Sequence, residues 1–139
     1  MSRAAVRRIA SWALVGALAS GCSGGTAPGC LSAFFVVLTP ATGVFVPGPY
    51  EGVLTLDGDD LPVVFEVPVT GEQVVSVGND VRITSARAGI FFELFGPPLQ
   101  VRMRITREGV LFLDVPLVPV YEDVGGCLQE TQEREVDPV

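Results

Sequence analysis

Val101-Arg102-Met103-Arg104-Ile105-Thr106 alternates apolar and polar side chains without a break. A period of two places Val101, Met103 and Ile105 on one face of an extended strand, with the two arginines and Thr106 on the other. That is the pattern of an antiparallel strand buried on one side. Arg107-Glu108-Gly109 then turns the chain tightly into Val110-Leu111-Phe112-Leu113-Asp114-Val115. With Asp114 facing solvent, strict alternation sends Leu111, Leu113 and Val115 inward.

The same grammar recurs on both sides of this hairpin. Short runs rich in Val, Ile and Phe predict strands near Leu31–Leu38, Tyr50–Leu56, Leu61–Val67, Gln73–Val77, Val81–Ser85, Gly89–Leu94, Leu99–Thr106 and Val110–Tyr121. Asp57-Gly58-Asp59-Asp60 folds Tyr50–Leu56 back on Leu61–Val67, because Asp-Gly supplies the positive φ that tight hairpins need. Pro116 and Pro119 suit an edge strand, where a missing N–H does no harm. Eleven Pro and sixteen Gly are spread along the chain, and no long helical pattern survives them. The expected fold is all-β: an antiparallel β-sandwich of seven to eight strands, immunoglobulin-like or transthyretin-like, in residues 30–128. Residues 129–139 are polar and acidic, and leave two alternatives open: a disordered tail, or a last strand facing solvent.

Composition narrows the chemistry. The 139 residues are 48% hydrophobic and 18% charged, the balance of one folded domain rather than a disordered chain. All nine basic residues are Arg, and there is no His. Without His, Ser–His–Asp and Cys–His schemes and every His-containing zinc site are excluded. No catalytic signature replaces them, so a non-enzymatic protein without cofactor or metal is expected.

The N-terminus reads as an export signal. Arg3, Arg7 and Arg8 precede an apolar run from Ile9 to Ala19, too short to span a bilayer, and small residues follow before Cys22. Leu18-Ala19-Ser20-Gly21-Cys22 resembles the bacterial lipobox, with the leucine one place further from the cysteine than usual. The resemblance implies a helical signal peptide over 1–21, cleavage after Gly21, and diacylglycerol and palmitate on Cys22. Residues 22–29 would then be a lipidated tether, and Cys22 would contact membrane lipid as the anchor of a cell-envelope lipoprotein. Ser23 fits transfer to the outer membrane.

Losing 1–21 removes three Arg and no acid, leaving six Arg against sixteen Asp plus Glu, a net charge of −10. Such a domain is not expected to bind nucleic acid, or anionic lipid through charge. Lipidation of Cys22 also resolves an odd cysteine count, leaving Cys30 and Cys127 as an expected disulfide across the domain's ends. The alternative, a reactive thiol or metal pair, lacks a C-x-x-C and further soft ligands.

A second resemblance rests on several short motifs: the lipobox, Cys30 at the first strand, the Pro49-to-Gly58 hairpin, and Tyr121 followed by Gly125-Gly126-Cys127. Together they look like the small β-sandwich lipoproteins of myxobacteria. This implies export and a sandwich fold, and hands over no active residue.

Candidate sites are few. Asp57, Asp59 and Asp60 are weighed as Ca²⁺ ligands against a plain turn. Glu66 and Glu93 are weighed as paired carboxylates. Arg82, Arg87, Arg102, Arg104 and Arg107 are weighed as an anion-binding strip against a solvated sheet face. The doublets Phe34-Phe35 and Phe91-Phe92 carry more weight. Neighbours on a strand point to opposite faces, so one ring of each pair must leave the core. Either the Gly43–Pro49 or Gly96–Pro98 loops cap the outward rings, or these form an apolar patch for an envelope protein. The functional expectation is a binding or structural module. The alternatives are a carrier of a small apolar ligand held between the sheets, and a cryptic hydrolase.

Overall fold

The computed structural model describes residues 30–138; the expected signal peptide, Cys22 and most of the tether lie outside the described residues. Ten strands follow one another: β1 (Ala33–Pro40), β2 (Gly48–Leu56), β3 (Asp59–Val67), β4 (Glu72–Val77), β5 (Val81–Ala86), β6 (Gly89–Phe95), β7 (Val101–Arg107), β8 (Val110–Leu117), β9 (Glu122–Val124) and β10 (Cys127–Val136). They form a β-sandwich of a six-stranded sheet, β4-β5-β6-β1-β10-β9, and a four-stranded sheet, β3-β2-β7-β8.

Local chemistry sets the hairpins. Leu56 pairs with Asp59, so Asp57 and Gly58 alone make the β2–β3 turn, with φ of 52° and 89°. Arg107 pairs with Val110 across Glu108 and Gly109, again both at positive φ. Two consecutive residues of positive φ match the twist of the flanking strands. Pro62 and Pro116 fall on β3 and β8, the two edges of the smaller sheet.

The inward alternation holds for β7, where Val101, Met103 and Ile105 are buried. It fails at the start of β8. The ladder passes from Ile105↔Leu113 to Thr106↔Leu111, so Phe112 is an extra residue in a bulge. The bulge shifts the parity: Phe112 is buried, and Leu111 is 51% exposed rather than inward.

The strand count and the C-terminal boundary are also corrected. Residues 129–136 belong to β10, which pairs in parallel with β1 along its whole length, from Ala33↔Gln129 to Pro40↔Val136. β1 explains this placement. Its Val36, Val37 and Leu38 are all buried, and a strand so deep needs hydrogen-bonding neighbours on both sides. β6 supplies one and β10 the other. The sandwich thus runs past residue 128 to Val136.

Between the sheets, aromatic rings make the core. Tyr50 stacks on Phe65 at 5.4 Å, Phe112 meets Tyr50 edge-on at 5.1 Å, and Phe92 meets Phe65 at 5.8 Å. Phe45, from the β1–β2 connection, closes one end against Phe112. Tyr50 is fully buried, and its hydroxyl donates to the carbonyl of Val46 at 2.7 Å. A Cys30–Cys127 disulfide joins the beginnings of β1 and β10, across 97 residues of sequence.

Candidate binding surface on the six-stranded sheet

Each phenylalanine doublet splits between the two faces. Phe34 and Phe92 are fully buried between the sheets, whereas Phe35 and Phe91 are half-buried on the outward face. The register makes the two outward rings diagonal neighbours, since Phe35 pairs with Glu93 and Phe91 with Val37. They stack with centroids 5.8 Å apart and planes 9° from parallel. Val37 lies outward between Phe91 and Glu133, and it is only 6% exposed. Phe95, two residues beyond Glu93, extends the outward apolar surface towards Ala33.

One ion pair borders this patch. Arg82 on β5 faces Glu93 on β6 and grips it with both arms of its guanidinium, Nε to Oε2 at 2.6 Å and Nη2 to Oε1 at 2.8 Å. The Glu93 side chain is 11% exposed, wedged beside Phe35. The hydrogen bond to Glu93 raises the Arg82 pKa; desolvation opposes this, and the charge of Glu93 adds to it. A bidentate pair with fixed geometry gives the patch a rigid polar margin.

Each loop weighed as a cap for the outward rings has one residue tied to another part of the fold. Phe45 of the first loop enters the core, and its N–H donates to the carbonyl of Arg87. Pro98 of the second accepts the hydroxyl of Tyr121, whose ring meets the inward Phe34 edge-on. Burial pushes the Tyr121 pKa up to about 12, helped by the negative charges of Asp57 and Glu130. Burial likewise raises Tyr50, with Arg107 opposing.

The other candidates are dispersed or already engaged. Asp57 accepts the N–H groups of Leu99 and Gln100 at 2.8 and 2.9 Å, clipping the β2–β3 turn to the chain entering β7. Asp60 accepts the hydroxyl of Thr55. Among the described residues, no three His, Cys, Asp or Glu side chains gather as an ion would require. Glu66 lies on the outward face of the four-stranded sheet and Glu93 on that of the six-stranded sheet. The whole sandwich separates these carboxylates, so they cannot flank one bond. The arginines make no common strip either: Arg82 is on one outer face, Arg102 and Arg104 on the other, and Arg87 in the β5–β6 turn. Arg102 bonds Asp114 at 3.0 Å.

Sequence reasoning missed Val37, Phe95 and the Arg82–Glu93 pair as parts of the patch. Continuing the period of two from Phe35 and Phe91 reaches Val37, Glu93 and Phe95; Arg82 requires the β5–β6 register. The chain matches no family model, no curated protein and no solved structure.

Proposed function

We propose that this protein is a lipid-anchored module of the bacterial cell envelope that binds rather than catalyses, displayed at the outer membrane through acylated Cys22. One observation carries the binding role: the stacked Phe35–Phe91 pair, half-exposed on the outward face of the six-stranded sheet and bordered by the bidentate Arg82–Glu93 pair. Aromatic anchors in a fixed setting are what protein interfaces concentrate their energy on. The rings filling the space between the sheets favour an outward function over a ligand held inside. The Cys30–Cys127 bridge supports export, since disulfides persist in oxidising compartments.

A photo-reactive benzoylphenylalanine in place of Phe35, in intact cells, tests this reading. It should give a discrete cross-linked adduct, whereas the same residue in place of Val64 on the opposite face should give none. Cys22→Ala should release the protein from the membrane and abolish the adduct. A native protein recovered without acyl mass on Cys22, or the absence of any adduct at Phe35, would refute the proposal.

A further inference from the structure

The direction of the backbone along β10 follows from two hydrogen bonds on its β1 side. The Leu128 N–H donates to Ser32 Oγ at 3.0 Å, and the Val136 carbonyl accepts the Ala41 N–H at 2.9 Å. Even-numbered residues of β10 therefore turn their backbone groups towards β1, and odd-numbered residues turn theirs away. On that far side β9 pairs only with Cys127, Leu128 and Gln129. Beyond it, Thr131, Glu133 and Glu135 direct N–H and C=O outward, with no backbone partner among the described residues.

The remaining sheet edges are blunted or short. β3 carries Pro62, β8 carries Pro116 and the Phe112 bulge, and β4 has six residues. β10 has ten residues and neither proline nor bulge. Open edges of this kind accept an added strand.

Charge selects the occupant. Glu133 lies beside Val37 and Glu135 beside Thr39 on the outward face, while Glu130 and Arg134 face the other way. A second copy fits poorly. Antiparallel self-pairing must join odd residues to odd residues. Centred on Glu133, it sets that residue against itself; centred on Arg134, it sets Glu133 against Glu135 twice. Like charges directly opposite are unfavourable. Centred on Gln132 it would match Glu130 with Arg134, but it would drive Glu135 into the place that Glu122 holds opposite Gln129. We propose that the Glu130–Glu135 edge of β10 takes up an extended basic segment of another protein as an eleventh strand, with its Lys or Arg side chains beside Glu133 and Glu135. This edge adjoins the Phe35–Phe91 patch, since Phe35 pairs with Thr131 and Val37 with Glu133. The inference rests on the unpaired β10 backbone and not on the stacked rings, so peptide binding and amide exchange at the edge are read independently of any adduct at Phe35.

The test uses the full chain in detergent and a fluorescent heptapeptide alternating valine and lysine, with a valine–glutamate sibling as control. In the free protein the amides of Thr131, Glu133 and Glu135 should exchange with solvent far faster than those of Glu130, Gln132 and Arg134. The lysine peptide should slow them at least tenfold, and the glutamate peptide should not. Glu133→Pro removes one outward N–H without touching the β1 ladder, and should weaken binding tenfold or more. The double change Glu133→Arg with Glu135→Arg, which leaves the backbone alone, should reverse the preference between the two peptides. The inference is overturned by slow exchange at the three odd amides in the free protein, by equal binding of both peptides, by no binding of the lysine peptide, or by dimers that protect this edge.

Discussion

Phe35 and Phe91 lie face to face, 5.8 Å apart, on the side of the six-stranded sheet turned away from the core, while their sequence neighbours Phe34 and Phe92 are fully buried. The same substitution should therefore have opposite consequences at adjacent positions. Phe34→Asp or Phe92→Asp puts a charge among apolar side chains and should unfold the domain. Phe35→Asp or Phe91→Asp should fold. With alanine the contrast becomes graded: Phe92→Ala should cost about 3–5 kcal/mol, and Phe35→Ala about 1–2 kcal/mol, the loss of a half-covered ring and its stacking partner. Urea titration followed by far-ultraviolet circular dichroism measures both. Equal losses at Phe35 and Phe34 would contradict the assignment of faces.

Gly52 should be the glycine least tolerant of a side chain. A Cβ there would collide with the backbone carbonyl of Arg104 and press on the Ile105 Cα, and backbone atoms of a paired strand cannot swing aside. Gly52→Ala should destabilise by about 1–3 kcal/mol through forced separation of β2 and β7. Gly89 is the fitting control, because a Cβ there meets only the Leu38 carbonyl, at 3.4 Å, an ordinary contact distance. Thermal melts of the two alanine variants should differ clearly, with Gly89→Ala near the unsubstituted protein.

These contrasts also show where sequence pattern carries information. The Val101–Thr106 alternation and the doublet at Phe34-Phe35 are read from a period of two, since one face of each strand is wet and the other dry. β10 gives no such signal: Glu130, Gln132 and Arg134 alternate with Thr131, Glu133 and Glu135, polar on both sides. Its place is dictated by the needs of β1, over 90 residues away in sequence. The exposure of Leu111 was illegible for a different reason, because one extra residue at Phe112 reverses every parity before it. The patch was half legible: its rings follow from alternation, but Arg82 reaches Glu93 only through a register that sequence does not display.

The Cys30–Cys127 bridge closes most of the described chain into one loop and ties β1 to the strand it pairs with in parallel. Closure of a loop near this size contributes about 4.7 kcal/mol by chain entropy, and measured losses run about 2–5 kcal/mol. Cys30→Ala should fall in that range. The unreduced protein should resist alkylation at both positions, and reduction should add the mass of two hydrogens. Two freely alkylated thiols at Cys30 and Cys127 in the native, unreduced protein would contradict the pairing.

Tyr121 gives the fold an alkaline limit. Its hydroxyl donates to the Pro98 carbonyl, its ring packs edge-on against Phe34, and burial together with Asp57 and Glu130 holds its pKa up at about 12. In the unfolded chain the phenol ionises near its ordinary value of about 10. Between these two values the folded state keeps a proton that the unfolded state has lost. The stabilising contribution is thus complete below about pH 10 and disappears as pH rises towards about 12. Tyr50 shifts in the same direction, so some alkaline sensitivity should persist without Tyr121. Tyr121→Phe keeps the ring against Phe34 and removes the titrating group. Its melting temperature should be lower than that of the parent protein at pH 8, through loss of the bond to Pro98, and should fall less steeply between pH 10 and pH 12. Parallel curves for the two proteins across that interval would show that Tyr121 ionises alike in the folded and unfolded chain.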